Sequence, residues 1–363
     1  MTSTMSNLQP SAFDQARAET FADRIADVVD AGALSVMLSV GHRSGLLDAM
    51  NNLPPATSAE IAARANLSER YVRECLAALV TGGVLEYDPD DVSYYLPPEH
   101  AASLTRGAAL GNMAVYGQFV ALLGSVQEQM LERFKDGGGT DYQDYPCFHQ
   151  IMAEDSGATV VAGLFDHILP LIPGIKQRLE QGIDVLDAGC GRGLALLAMA
   201  QRFPASRFVG YDLCQSAIDF ATQQVQQIGL QNIRFVKKDL SDYDEQEKFD
   251  LITSFDAVHD QRDPQRLLKS FHAALRKEGV YLMQDIGGSA HLENNQDFPL
   301  ATLLYSISCF HCTPISLGQN GAGLGTMWGW ETAQAMLQNS GFCAIKRNVL
   351  PHDPTNVWFV SHK

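Results

Sequence analysis

The stretch IDVLDAGCGRGLALLAMA, residues 183–200, decides the fold. An apolar run ends in an acid, Asp187, passes three glycines at 189, 191 and 193, and then takes helical spacing. A strand, a glycine turn and a helix start make a ready nucleotide site, because the free amides of the first helical turn point at the ligand. Dinucleotide sites use G-x-G-x-x-G, with the pyrophosphate on the helix N-terminus. Here the spacing is D-x-G-x-G-x-G, so the third glycine falls one residue early and the leading acid repels a phosphate. A ligand bearing an ammonium group is attracted instead.

Strand and helix patterns alternate from this point. Strands are expected at 183–187, 207–212, 233–237, 249–255 and 280–285, with helices at about 193–203, 215–228 and 264–275. This is the signature of an α/β, Rossmann-like doubly wound parallel sheet. A long insertion at 287–329 precedes one more helix at 331–339, and CAIKRNVL and NVWFVSHK, separated by PHDPT, read as a C-terminal antiparallel hairpin.

Upstream, residues 12–50 carry Phe21, Ile25, Val28, Val29, Leu34 and Leu38 at helical spacing and read as two helices. Next, Thr57 or Ser58 caps a short helix and Ser68 a second, which Gly82 and Gly83 end. VLEY and SYYLP then flank the turn DPDD, completing a winged helix-turn-helix. Residues 1–105 hold six arginines and no lysine against fourteen acids, a balance of −8, and Arg70 and Arg73 stand beside Glu69 and Glu74. A duplex reader needs a basic face, so this module is expected to dimerise rather than bind DNA. The organisation expected is a winged-helix domain at 1–106, a helical linker or lid region at 107–180, and a cofactor-binding domain at 181–363. Within the middle region the amphipathic segment 148–172 reads either as packing or as a lid over the cofactor.

Composition bounds the rest. With 46% hydrophobic and 19% charged residues the chain is globular. No apolar run approaches the ~20 residues of a bilayer span, and the N-terminus lacks signal and transit patterns, so no membrane partner and a cytoplasmic location are expected. Seven scattered cysteines give no disulfide framework, and the lone C-x-x-C at Cys309 and Cys312 lacks the further ligands of a zinc site, so no metal is expected. A net charge of −16 repels nucleic acid.

VLDAGCGRG resembles the first motif of class I S-adenosylmethionine (SAM) dependent methyltransferases, and the terminal hairpin is the one that family adds to its sheet. The resemblance implies that Gly189, Gly191 and Gly193 approach the amino acid part of SAM and that Asp187 organises that end. Asp212 closes the next strand, nineteen residues past Gly193, and its two acceptor oxygens suit two ribose hydroxyls. The same position also suits a helix cap. Asp239, after the third strand, is placed to accept from the adenine amino group, with Leu240 on the ring. Leu213 and Phe255, at the ends of the second and fourth strands, complete the cofactor set. The product is then S-adenosylhomocysteine.

The fourth strand runs into SFDAVHDQRD. Methyl transfer to a hydroxyl requires alignment and removal of a proton, and a histidine suits that removal at neutral pH. VHDQ resembles the HDW signature of small-molecule O-methyltransferases with an N-terminal winged helix, which implies His259 as general base and Asp260 as an orienting acid, with Gln261 in place of Trp. The alternative for His259 is a helix-start residue bonded to backbone. The insertion is expected to supply the substrate wall through His311, Cys312, Met327 and Trp328, in a region from Glu278 to Ile345 without a single Lys or Arg. The layout as a whole is similar to a mycobacterial-type family of winged-helix methyltransferases. The expected activity is SAM-dependent methylation of a small, largely apolar nucleophile, at oxygen, by a homodimer. S-methylation of a small thiol and a SAM-sensing regulator are the alternatives.

Overall fold

The structure is a computed structural model that describes residues 12–107 and 111–363; the expectation about targeting signals rests largely on residues 1–11, outside that range. The chain divides into two compact units, one ending at Gln118 and one running Phe119–Lys363.

In the first unit the Asp14 side chain caps α1 (Gln15–Arg43) by accepting from the Arg17 amide. Gly45, at φ 77°, turns the chain into α2 (Leu46–Met50). Thr57 rather than Ser58 starts α3 (Ser58–Ala65), in a capping box with Glu60. Ser68 stands at the N-cap of α4 (Glu69–Thr81) without a side-chain bond. The wing is a three-stranded antiparallel sheet of β1 (Ala56–Thr57), β3 (Ser93–Tyr95) and β2 (Glu86–Asp88), in that order, followed by α5 (Pro98–Ala101). Leu46, Leu47, Met50, Ile61, Leu76 and Leu79 fill its core. Arg70 pairs with Glu74 at 2.5 Å and Arg73 with Glu69 at 2.7 Å, so the cations of the second helix are neutralised where they stand.

α1 departs from the expectation that no apolar run approaches membrane length. It spans 29 residues and includes an 18-residue window of mean hydropathy 1.3, long and apolar enough by length and composition to cross a bilayer. Small and aliphatic residues between Asp30 and His42 supply that hydropathy. Phe21, Ile25, Val28, Val29, Val36 and Val40 are exposed along it.

α6 (Ala114–Ser125) leads into the second unit, where α7 (Gln127–Asp136), α8 (Phe148–Ser156) and α9 (Ile175–Gln181) precede the sheet. The strands are β4 (Asp184–Ala188), β5 (Arg207–Asp212), β6 (Ile233–Lys237), β7 (Phe249–Phe255), β8 (Leu275–Ile286), β9 (Cys343–Leu350) and β10 (Asp353–His362). Their order is β6-β5-β4-β7-β8-β10-β9; the first five pair in parallel and the β9–β10 hairpin adds antiparallel to β8. The connecting helices are α10 (Leu194–Arg202), α11 (Gln215–Ile228) and α12 (Pro264–Ala274), and the insertion holds α13 (Ala301–Ile307) and α14 (Thr313–Gly318) before α15 (Trp330–Asn339). Alternate residues of each strand enter two separate cores. Val185, Leu251 and Leu282 face Leu179, Leu196 and Met199. Leu186, Ile252 and Tyr281 face Leu268, Phe271 and Leu337 on the other side. Both faces are covered, which is why these strands read as unbroken apolar runs.

The three glycines of the turn answer different demands. All have positive φ, of 75°, 51° and 70° at 189, 191 and 193. A Cβ on Gly193 lies 2.3 Å from the Phe235 ring and one on Gly189 2.4 Å from Ala257 Cβ, whereas one on Gly191 meets nothing within 4 Å. Gly193→Ala therefore adds overpacking of about 1–3 kcal/mol to a left-handed backbone cost of about 1–2 kcal/mol that Gly191→Ala shares. Urea unfolding is expected to show Gly193→Ala as the more destabilised; equal midpoints contradict this packing.

Candidate functional site

A cavity opens at the C-terminal ends of β4, β5, β6 and β7, where successive strands run outward from β4 in opposite directions, the usual ligand position in such sheets. Its lining includes the sequence-expected cofactor set: Asp187, Gly189, Gly191, Gly193, Asp212, Leu213, Asp239, Leu240 and Phe255. Asp212 holds the glycine turn: Oδ2 accepts from the Gly191 amide and Oδ1 from the Cys214 amide, both at 2.8 Å. It thus sits just ahead of α11, whose N-cap is Cys214. Each of its oxygens has a second lone pair to offer. Asp239 caps a short 3-10 turn by accepting from the Ser241 amide. Arg192 in the turn is drawn aside onto the Phe220 ring, 4.4 Å from its centroid.

The cavity is rich in buried carboxylates. Asp187 accepts from the Thr253 hydroxyl at 2.8 Å, yet burial pushes its pKa up to about 7, with the charge of Asp212 adding to the rise. Asp256, held in a left-handed conformation at φ 48° just past β7, is raised well above the usual range by burial and by Asp285. Its Oδ1 has no partner, while Oδ2 accepts from Gln284. Asp260 is also raised, by burial, and accepts from the Tyr142 hydroxyl at 2.5 Å and from Gln261 at 3.2 Å.

His259 is buried and lies behind this lining rather than in it. Its partner is a side chain and not backbone: Nδ1 is 2.8 Å from Asp285 Oδ1. The same oxygen accepts from Trp328 Nε1 at 3.0 Å and from the Ile286 amide at 2.9 Å, while Asp285 Oδ2 has no partner.

The insertion does not supply the cavity wall as expected. None of His311, Cys312, Met327 and Trp328 lines the cavity. Trp328 packs in the core with its indole nitrogen on Asp285, and Met327 packs with Ile286 and Leu304. His311 stacks on Phe148, centroids 3.9 Å apart, and meets Tyr145 edge-on at 4.6 Å. The wall instead comes from Tyr142, Phe148, His149, Met152, Ala153, Ser156 and Val160, with Gln319 from the insertion. The segment 148–172 thus serves both readings: its first turns line the cavity, and Val160, Leu164 and Ile168 are core. Tyr142, His149 and Asp285 were missed; the aromatic run DYQDYPCFH and an acid closing the fifth strand were the available signals.

A doubly wound sheet with this glycine turn, strand-end acids and an antiparallel terminal hairpin is the class I methyltransferase architecture, whose cofactor is SAM. Residues 32–106 match the model of the Rv2258c-like winged HTH domain, and residues 179–339 match that of a methyltransferase domain. The chain therefore joins a winged helix-turn-helix domain of that family to a methyltransferase domain. The human N-acetylserotonin methyltransferase in complex with SAM superposes with a TM-score of 0.67 at 16% identity, covering 98% of this chain and 99% of that one. The mitomycin 7-O-methyltransferase gives 0.66 at 17%, covering 96% and 100%. At such identities these likenesses speak to the fold. The ubiquinone biosynthesis O-methyltransferase of Coxiella burnetii is 33% identical over 119 residues, 31% of this chain and 47% of that protein. The chain spans about half or less of the length of such curated relatives. The methyltransferase ungE' of Aspergillus campestris is 24% identical, over 78% of this chain and 83% of its own.

The residues present fit SAM. A carboxylate whose pKa is raised by burial and by Asp212, Asp187, stands beside a turn whose middle glycine opens onto free space. Asp187 also makes a stability test without ligand. Its folded pKa, about 7, lies above the usual 3.8, so its contribution is intact below pH ~4 and is lost as pH rises through ~7. Asp187→Asn removes that loss, so its stability relative to wild type should climb between pH 5 and 8 in urea titrations. A gap independent of pH contradicts the buried, uncompensated carboxyl.

Proposed function

We propose that the chain methylates a small, largely apolar acceptor at oxygen, using SAM. The observation that carries the reading is the buried His259–Asp285 pair, 2.8 Å apart, directly behind the cavity. When bound, SAM supplies an activated methyl group. Asp187 meets its ammonium group, Asp212 accepts from the ribose hydroxyls, Asp239 accepts from the adenine amino group, and Leu213, Leu240 and Phe255 pack against its apolar surfaces. Tyr142, Phe148, His149 and Met152 bound the acceptor side, where apolar rings dominate and Asp260 offers one polar point. His259 takes the acceptor's proton and Asp285 fixes the ring's orientation. Trp328 supports this pair through Asp285, and His311 backs the wall at Phe148.

Losing the base from a hydroxyl acceptor lowers kcat by about 10²–10⁴ and leaves affinity for S-adenosylhomocysteine unchanged. His259→Ala, assayed from pH 6 to 9 with hydroxyl and thiol acceptors side by side, tests this. Full activity on a hydroxyl acceptor removes His259 from the chemistry. Loss confined to hydroxyl acceptors separates them from thiols, which ionise near pH ~8.5 unaided.

The winged module serves assembly in this reading, since its recognition-helix arginines are already paired. The exposed aliphatic face of α1 is the contact between two copies. Sedimentation should give a dimer for the wild type and a monomer for Val28→Asp/Val29→Asp. These positions spare Leu46, Leu47 and Met50, which the module's core needs. A monomeric wild type, or duplex binding that survives about 150 mM salt, overturns the assembly role.

A further inference from the structure

The ends of β7 and β8 gather acceptor oxygens that no donor of the chain meets. Asp256, one residue past β7, takes a left-handed backbone at φ 48°, and its amide donates to the Gln284 carbonyl at 3.1 Å. Few side chains tolerate that conformation, and where it persists the site usually uses it. The Asp256 side chain lines the cavity, and Gln284 stands opposite its neighbour Phe255 across the two strands. Oδ2 accepts from Gln284 Nε2 at 2.8 Å, whereas Asp256 Oδ1, Gln284 Oε1 and Asp285 Oδ2 are enclosed and have no partner. Gln284 and Asp285 are fully buried. Enclosed acceptors are nearly always matched in folded proteins, so this group marks a donor that arrives from outside. The charges are equally one-sided. Asp256 feels Asp285 and, from α8, Asp155, against the single histidine His259. The cations of the cavity lining, Arg192 and Lys238, are held by Phe220 and Glu245, and the sequence from Glu278 to Ile345 has no Lys or Arg to offer.

We infer that the methyl acceptor carries, besides its hydroxyl, an amine that Asp256 binds as an ammonium, with Gln284 beside it. The inference rests on the O-methylation reading above and names its substrate class: a hydroxylated amine with an apolar body. An ammonium brings three N–H donors and a positive charge, and the cluster lacks both. A neutral hydroxyl brings one donor and leaves the acids uncompensated, and an anion is repelled. Burial, then the charge of Asp285, holds the Asp256 carboxyl well above the ordinary range. A cation beside it opposes that second cause and lets Asp256 bind as the carboxylate. The cofactor does not fill the gap in this reading. Asp187 and Asp212 belong to the glycine turn and the strand beyond it, whereas Asp256 stands past β7 toward Asp260, whose own oxygens already serve Tyr142 and Gln261. The ammonium is an anchor and not the nucleophile, since a protonated nitrogen has no lone pair to attack with. Held at Asp256, it fixes where the acceptor's hydroxyl lies.

The test titrates the full chain, saturated with S-adenosylhomocysteine, in a calorimeter at neutral pH. The probes are a phenol, a naphthol and a cyclohexanol, each with a short arm ending in ammonium, methyl or carboxylate. Wild type should bind the ammonium member of at least one skeleton about tenfold or more tighter than its methyl counterpart, the worth of a charge-assisted hydrogen bond. The carboxylate member should bind more weakly than either. Asp256→Asn keeps the shape and tolerates the same backbone, and urea midpoints check its folding. In that variant the preference should collapse to about twofold or less, with affinity for S-adenosylhomocysteine unchanged. No ammonium preference on any skeleton, or a preference that survives Asp256→Asn, overturns the inference. A loss of S-adenosylhomocysteine affinity in Asp256→Asn gives the unmatched oxygen to the cofactor and overturns it too. Methyl found on the nitrogen of a turned-over ammonium probe overturns the anchoring role. If S-adenosylhomocysteine does not bind wild type, the methyltransferase reading fails instead, and the same probes titrated into the chain alone still decide the ammonium site.

Discussion

The site hangs on one carboxylate at the end of one strand. Asp212 bonds the Gly191 amide with one oxygen and the Cys214 amide with the other, which ties the turn after β4 to the start of α11. Tyr211, one residue earlier, receives the Gly189 and Cys190 amides on its carbonyl. Two adjacent residues of β5 thereby set the path of the neighbouring turn, and the turn sets where a ligand can lie. With Gly189 against Ala257 and Gly193 against Phe235, the turn has no slack on either side. Such packing defines the cavity floor before any ligand arrives.

A second centre of the same kind stands at the end of β8. One oxygen of Asp285 gathers an imidazole, an indole N–H and its neighbour's amide. The indole belongs to Trp328 and so couples the insertion to the sheet through a polar bond inside an apolar core. Around these centres Asp187, Asp256 and Asp260 are buried with raised pKa values. Arg192 is drawn onto Phe220, and Lys238 faces the rings of Tyr211 and Tyr243 with Glu245 as its ion partner. The interior is therefore electronegative and poorly compensated, a setting that favours a sulfonium bearing an ammonium group over an anion.

The sheet was legible in the sequence because its strands are apolar on both faces and its helices amphipathic; α11, β5, β6 and β7 fall where the pattern puts them. β8 begins five residues earlier than expected, at Leu275, because pairing with β7 extends it through a charged stretch. The acids that line the cavity were legible for a related reason, since Asp187 and Asp212 stand at strand ends and Asp239 two residues past β6. The rest of the cavity wall was not. Met327 and Trp328 are apolar whether they line a cavity or fill a core, and sequence periodicity does not distinguish the two. Tyr142 reaches Asp260 across 118 residues of chain, through a glycine-rich loop with no period at all. His259 stood out by type and position, but its partner Asp285 reads in sequence as one more strand-end acid.

The terminal hairpin has a consequence for how the chain is made. β10 is the last strand in order yet lies inside the sheet, between β8 and β9. It pairs with β8 from Val280 to Ile286. During synthesis the five parallel strands can assemble while β8 remains an open edge of Tyr281, Leu282 and Met283, all apolar and all fully buried once the sheet is complete. An unpaired edge of that kind is a template for another nascent chain. The interval between the emergence of β8 and the arrival of β10, more than sixty residues later, is thus when the chain is most open to edge-to-edge pairing.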